Sequence, residues 1–390
     1  TTTLKNNGNT YMSVDTNDAV TFATGGISVS SLNGGQLGGR RNIVYNGEMK
    51  VAQRSASETG LGTASGYFTV DRWDMKINAA SAGRYTMAQV ADGPAGFANS
   101  LKLTTTTADT SIAAGERLHI SQRFEGQDLQ HLQKGTATAK QITASFYVKG
   151  NAAATYTCEL FDVDNGRHIN QSFAVTTAWN RIELTFAADT SDPFDDDNAN
   201  SLDLNFWLHA GSTYSGGTFV SNVWEDTVND ARVSDSQTSI FDSTARTFFI
   251  TGVQLEAGSV ATPFEHRSYG TELALCQRYY FKSFPNAQYS NFGSCYADST
   301  VQAKGFIPFP VPMRIAPTAL EQNGVAVDYS VRIGGTVTVC NAVPIASAST
   351  TIVLGGANLR VASGLTIGQS GEMRTSTSTT AGYLAWSAEL

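Results

Sequence analysis

The residues best equipped for chemistry are one acidic run and a few aromatic side chains. The segment AspProPheAspAspAspAsnAlaAsn at 192–200 crowds Asp192, Asp195, Asp196 and Asp197 together. Carboxylates at this density offer the hard oxygen ligands that calcium takes, and a bound ion here would pin a loop. The run has neither the regular spacing nor the closing glutamate of an EF-hand loop, so a solvated turn is the competing reading. Asp162 and Asp164 pose the same choice. Trp207, Tyr214 and Trp224 are the candidates for stacking on a sugar ring. Trp207 lies between Phe206 and Leu208 and points away from their shared face, where it covers a sheet, meets a neighbouring subunit or contacts a ligand. Tyr214 and Trp224 fall within the Gly-, Ser- and Asp-rich stretch 210–240, the segment best suited to a binding loop. AspArgTrp at 71–73 reads as core instead, with the Trp73 indole bonded and Arg72 paired locally.

Catalytic arrangements find little support. His119, His131, His168, His209 and His266 are scattered, and none begins an HxH or HExxH metal motif. There is no GxSxG elbow and no Gly/Lys phosphate loop. The reading is therefore a protein without catalytic residues or an organic cofactor. Paired carboxylates for glycoside hydrolysis need only meet in space, which leaves capsule cleavage as the weakest alternative. His119, on GluArgLeuHisIleSerGln, reads as a satisfied strand residue. Cys158, Cys276, Cys295 and Cys340 form no CxxC and read as buried free thiols; only Cys276 and Cys295 are close enough in sequence for a local bridge.

Composition narrows the partners. Charged residues make up 15% of the chain, against roughly 25% for an average soluble domain. Gly, Ser, Thr, Asn and Ala fill the polar places, as suits an extracellular surface. A net charge of -8 with no Lys/Arg stripe argues against nucleic acid, which needs a concentrated positive face. No apolar run reaches the roughly 18 residues of a membrane span, so no insertion is expected.

Alternation of side chains defines the elements that must position these groups. Residues 1–41 form a glycine-rich leader in which Met12, Val14, Ala19, Val20 and Phe22 suit a hairpin across Asp15 to Asp18. The rest of the leader has too few apolar anchors to offset its ordering entropy, and an attachment role on other chains is the functional reading. From 42 to 266 the pattern is strand-like: Ile142, Ala144, Phe146 and Val148 alternate with their neighbours, as do Ile182, Leu184 and Phe186, and Leu202, Leu204, Phe206 and Leu208. The fold class is mainly β, an antiparallel jelly-roll-like β-sandwich, with a closed barrel as the structural alternative. A linking helix follows within 267–282, capped by Thr271 and carrying Leu273, Cys276, Tyr280 and Phe281 on one side. A second, smaller β module occupies 283–390, with strands expected near 303–307, 325–333, 336–339, 351–354 and 382–388.

The segment 252–280, GlyValGlnLeuGluAlaGlySerValAlaThrProPheGluHisArgSerTyrGlyThrGluLeuAlaLeuCysGlnArgTyrTyr, resembles a stretch shared by tail-fibre and appendage proteins of tailed bacteriophages, notably those of marine cyanobacteria. AsnIleValTyrAsnGlyGluMet at 42–49, TyrPheThrValAspArgTrp at 67–73, SerGlnArgPheGlu at 121–125 and PheTyrValLysGly at 146–150 resemble other parts of the same proteins, as does the leader phrase at 12–22. The resemblance implies a homotrimeric virion appendage in the tail or neck, held to other phage proteins by its leader. It would present a carbohydrate-binding-like sandwich and a distal tip to host surface polysaccharide. A purely structural, collar-associated connector is the alternative. The resemblance carries over no sugar-contacting residue.

Overall fold

The computed structural model describes the strand backbones at 2–6, 9–14 and 20–22, and residues 39–78, 81–284, 287–376 and 381–390. In the leader, Asn9–Val14 pairs with Val20–Phe22, setting Met12 opposite Phe22 and Val14 opposite Val20. The expected turn at 15–18 and most of the glycine-rich stretch lie outside the described residues. A third strand, Thr2–Asn6, adds to this hairpin.

Two antiparallel sheets form the sandwich. One has six strands in the order Asn180–Phe186, Ile142–Gly150, Thr247–Ala257, Ser100–Thr107, Arg84–Val90 and Ser57–Leu61. The other has seven: Glu225–Asp226, Arg167–Val175, Ala154–Asp162, Asn200–Ala210, Arg117–Glu125, Asp74–Ile77 and Gly66–Tyr67. Period-two alternation turns Ile142, Ala144, Phe146 and Val148 inward from the first sheet and Leu202, Leu204, Phe206 and Leu208 inward from the second, into one core. The sheets meet through aromatic edges: Phe146 lies 4.9 Å from Phe206 and 5.1 Å from Phe173, ring centre to ring centre. Trp73 joins the same core and donates its indole N–H to Asn46 O at 3.2 Å.

The linking helix spans Tyr269–Gln277, and its cap is Ser268, whose hydroxyl accepts from Thr271 N–H at 3.2 Å. This corrects the expected cap at Thr271. Tyr280 and Phe281 are not helical; they open the strand Tyr280–Ser283, which pairs with Leu384–Ser387. Cys276 is buried as expected, but its buried companion is Glu272, not Leu273. Glu272 is drawn in by Arg267 and by the Asn46 N–H.

The C-terminal module, rather than the larger domain, is the closed barrel. Its strands run Asn291–Ala297, Gln302–Pro308, Leu354–Val361, Thr336–Ala346, Tyr329–Ile333 and Ser370–Thr375 around the ring. The strand expected at 351–354 lies instead at 354–361, and those at 291–297 and 370–375 escape the periodicity. Glycine helps to hide them. A Cβ at Gly355 would sit 2.8 Å from the Phe309 and Trp386 rings, and one at Gly371 would collide with Arg332 O. These positions are glycine because other parts of the chain fill the space beside the strand, not because the chain turns there. All four cysteines are free and buried.

The two modules are joined by a buried cation. Arg72 is wholly inaccessible; its guanidinium pairs with Glu389, donates to Arg123 O at 2.7 Å and lies 3.5 Å over the Tyr279 ring. Arg72 therefore pairs across 317 residues, which corrects the local partner expected from sequence. Arg314 adds bonds to Ala388 O and Glu389 O, both at 2.8 Å. Glu389→Gln leaves the Arg72 guanidinium buried without its carboxylate, and should lower the unfolding free energy by about 3 kcal/mol in a denaturant titration. An unchanged midpoint would show that the pair does not hold the modules together.

Candidate functional site

The outward residues of the seven-stranded sheet form a polar grid fixed by strand register. Along one row lie His168, Phe161, Asp203 and Arg123; along the next, Asn170, Glu159, Asn205, Ser121 and Asp74; along the third, Ser172, Thr157, Trp207, His119 and Lys76. Each of these strands turns its apolar residues to the core, so its other face must carry whatever polar groups the sequence supplies. Half of the grid is covered by the 211–240 segment. Arg232 descends from it to grip Glu159 with two bonds of 2.7 Å, and Asn205 and the Trp207 indole each donate to Glu159 Oε2 at 2.9 Å. Burial opposes ionisation of Glu159, but Arg232 outweighs it and holds the carboxyl below its ordinary value.

Trp207 is wholly buried between His119, whose ring centre is 4.4 Å away, and Tyr214 at 5.3 Å. The expectation that it offers a face to a sugar is corrected: the 211–240 segment occupies that face. Tyr214 stays half-buried at the rim with Arg117 over its ring. Trp224 goes elsewhere. Its indole donates to Ala187 O at 2.8 Å and its ring meets Lys134, so the three aromatic candidates do not share one site.

The uncovered half of the grid is bounded by Tyr214 on one side and by Leu390, whose carbonyl accepts from Arg123, on the other. Lys76, Arg123, Phe161 and Asp203 are partly exposed here. Beneath them, His119 Nδ1, Ser121 Oγ, Asp74 Oδ1 and Asn205 Oδ1 are buried with no partner among the described residues. His119 is thus not the satisfied strand residue expected from sequence. Burial, then Arg232, keeps its imidazole well below its ordinary value and so neutral at pH 7. Burial also pushes the Asp203 carboxyl up to about 6. The arrangement offers donors and acceptors at close intervals on a rigid sheet, suited to a ligand dense in hydroxyl groups. Sequence reading missed Asp203, Asn205 and Arg232. The first two alternate legibly with Leu202, Leu204 and Phe206, whereas nothing near Arg232 in sequence announces Glu159.

The acidic run is organised by a cation of the chain's own. Lys134 is almost fully buried, and its ammonium lies 2.6 Å from Asp162 and 3.2 Å from Asp189 while donating to Ser191 O at 3.0 Å and Asp192 O at 2.6 Å. Asp195 N–H bonds Asp164, and Asp197 caps Ala199 N–H. Asp192, Asp195, Asp196 and Asp197 do not converge. Among the described residues no three His, Cys, Asp or Glu side chains are placed to hold a metal ion. An ammonium thus ties this loop down.

No protein-family description matches the sequence, and no curated protein matches it. Among solved structures, the chain is similar to a CBM4 structure at 15% identity and a TM-score of 0.30, covering 54% of this chain and 97% of that one. It is similar to TmCBM61 in complex with β-1,4-galactotriose at 9% identity and a TM-score of 0.30, covering 56% and 99%. It is also similar to the enzymatically active domain of tailspike protein 4 of bacteriophage CBA120, at 14% identity and a TM-score of 0.28, covering 55% of this chain and 21% of that one.

Two substitutions test this account. Lys134→Met leaves Asp162 and Asp189 without their ammonium and should cost about 3 kcal/mol in denaturant unfolding. For Asp203 the folded value, about 6, lies above the ordinary 3.8. The native state therefore binds the proton more readily than the unfolded chain, and the group opposes folding above about pH 6 but not below about pH 4. Asp203→Asn should accordingly stabilise the protein by about 1 kcal/mol at pH 7, after discounting for partial exposure, and by almost nothing at pH 4.

Proposed function

We propose that this chain is a noncatalytic virion appendage protein of a tailed phage, acting as a homotrimer that binds a host-surface glycan. The observation that carries the binding reading is the partly exposed group of Lys76, Arg123, Phe161, Asp203 and Tyr214 on the outer face of the seven-stranded sheet, which sets cationic, anionic and aromatic side chains side by side. A polyhydroxylated ligand matches that alternation of donors and acceptors, and the sheet holds it at little entropic cost. The sequence resemblance supports the virion setting. Three copies on one particle would raise the effective concentration for each later contact, so weak individual sites suffice for adsorption.

A structural connector is the second reading, favoured by the barrel surface. Val325, Val327, Val337 and Val339 are 39–56% exposed on neighbouring elements of one side, an apolar strip that suits contact with another protein.

Retention on a panel of immobilised bacterial surface polysaccharides separates the two. Saturable retention with unchanged polymer length is expected, weakened about tenfold by Tyr214→Ala or Lys76→Ala at unchanged melting temperature. Loss of polymer length would make the protein a depolymerase. Absence of retention by a folded trimer would leave the connector, and a stable monomer in solution would remove the trimeric appendage.

A further inference from the structure

A second recess lies away from the polar grid, in the seam where the sandwich meets the Tyr280–Ser283 and Leu384–Ser387 ladder. It has a volume of about 300 Å³ and is lined by Arg54, Tyr67, Phe68, Lys282, Glu321 and Tyr383, among others. It runs on, past Lys282 and Tyr383, into a neighbouring recess of similar size beside Gln53 and Phe284. Its walls are fixed. Glu321 exchanges backbone bonds of 2.8 and 2.9 Å with Ala385, and its carboxylate accepts from the Tyr280 hydroxyl at 3.0 Å. Arg54 stacks 3.6 Å over the Tyr280 ring and pairs with Glu389 at 3.3 Å.

The unused valences of this recess are specific. Arg54 is committed to Glu389. Among the described residues Lys282 donates a single bond, to Arg54 O at 2.8 Å, and its ammonium lies 4.3 Å from the centre of the Tyr383 ring. No carboxylate among the described residues lies within 4.0 Å of it. An ammonium has three donors, so two remain. Burial lowers the proton affinity of Lys282, which reflects poor solvation of that ammonium. Among the described residues, one Glu321 carboxylate oxygen accepts no bond and the Tyr383 hydroxyl has no partner. Phe68 and Tyr383 are both partly exposed.

We propose that this seam is a saccharide subsite for a neutral pyranose unit, with Lys282 donating to one hydroxyl, Glu321 accepting from its neighbour, and Phe68 and Tyr383 receiving the C–H face of the ring. Vicinal hydroxyls of a pyranose donate and accept side by side, matching an ammonium beside a carboxylate. The two cations of the lining, Arg54 and Lys282, are matched by Glu58 and Glu321, so the recess offers a uronate or sulfated unit no net attraction and suits a neutral ring. This inference rests on the glycan-binding reading but names a site separate from the sheet face. It gives one chain two contacts on a polysaccharide, which multiplies avidity without any further subunit.

The test uses the full chain. Saturation-transfer NMR with methyl glucoside and methyl galactoside at high concentration should show contact with aromatic protons that disappears in Tyr383→Ala. With neutral oligosaccharides, titration should show affinity falling about tenfold in Tyr383→Ala and again in Lys282→Met, with melting temperature unchanged. Uronate oligosaccharides of equal length should bind more weakly than neutral ones. Binding that is identical in wild type and both variants overturns the seam while leaving glycan recognition by the sheet face intact. Preference for the uronate overturns the neutral assignment. If neither glycoside touches the wild-type protein, the seam is not a pyranose site; if retention on polysaccharide is absent as well, the glycan-binding reading falls with it.

Discussion

Burial of the Arg72 guanidinium is the constraint on which the rest of the architecture depends. A cation removed from water costs several kcal/mol unless its bonds are met inside the protein. Here they are met by Glu389, by the Arg123 carbonyl and by the face of Tyr279. Those partners come from the last residues of the barrel module, from the seven-stranded sheet and from the segment following the helix. Satisfying one side chain therefore requires three distant parts to be in place together. The recess beside Lys282 and the boundary of the polar grid at Leu390 both exist because that closure brings residues 384–390 onto the sandwich.

The segments 42–49, 67–73, 121–125 and 252–280 gather around the same point. Asn42 bonds Val253 O and Leu255 N–H; Tyr45 exchanges two backbone bonds of 2.8 Å with the Gln122 amide; Asn46 reaches Val51 and Asp71; Glu125 accepts from Arg278 and Tyr279. Stretches far apart in sequence are thus one hydrogen-bonded junction.

A low content of charge does not mean a weak role for it. Lys134 holds the acidic run, Arg232 holds the 211–240 segment onto Glu159, and Arg72 holds the modules together. Cations placed inside in this way need fixed carboxylate partners, and the loops that carry those partners are fixed in turn. What reaches solvent is largely short and polar, so a ligand meeting that surface orders few long side chains.

Alternation along the strands is enough to read the two-layer sandwich, because a strand shows its inward face at every second residue whatever its partners are. The same pattern makes Asp203 and Asn205 outward, and composition makes the cysteines free and internal. It cannot say which strands are neighbours, so the grid of His119, Ser121, Asn205 and Glu159 is invisible until register is known. Periodicity alone turns Trp207 away from the core and leaves its ring open, whereas the folded chain covers it with Arg232 and Tyr214 from a loop that has no periodicity. Glycine at 355 and 371 conceals barrel strands for a related reason: what fills the space of the missing side chain, the Trp386 ring in one case and the Arg332 carbonyl in the other, belongs to other parts of the chain. Sequence carries what each residue prefers locally; pairing of buried charges and filling of space depend on neighbours that only the folded chain supplies.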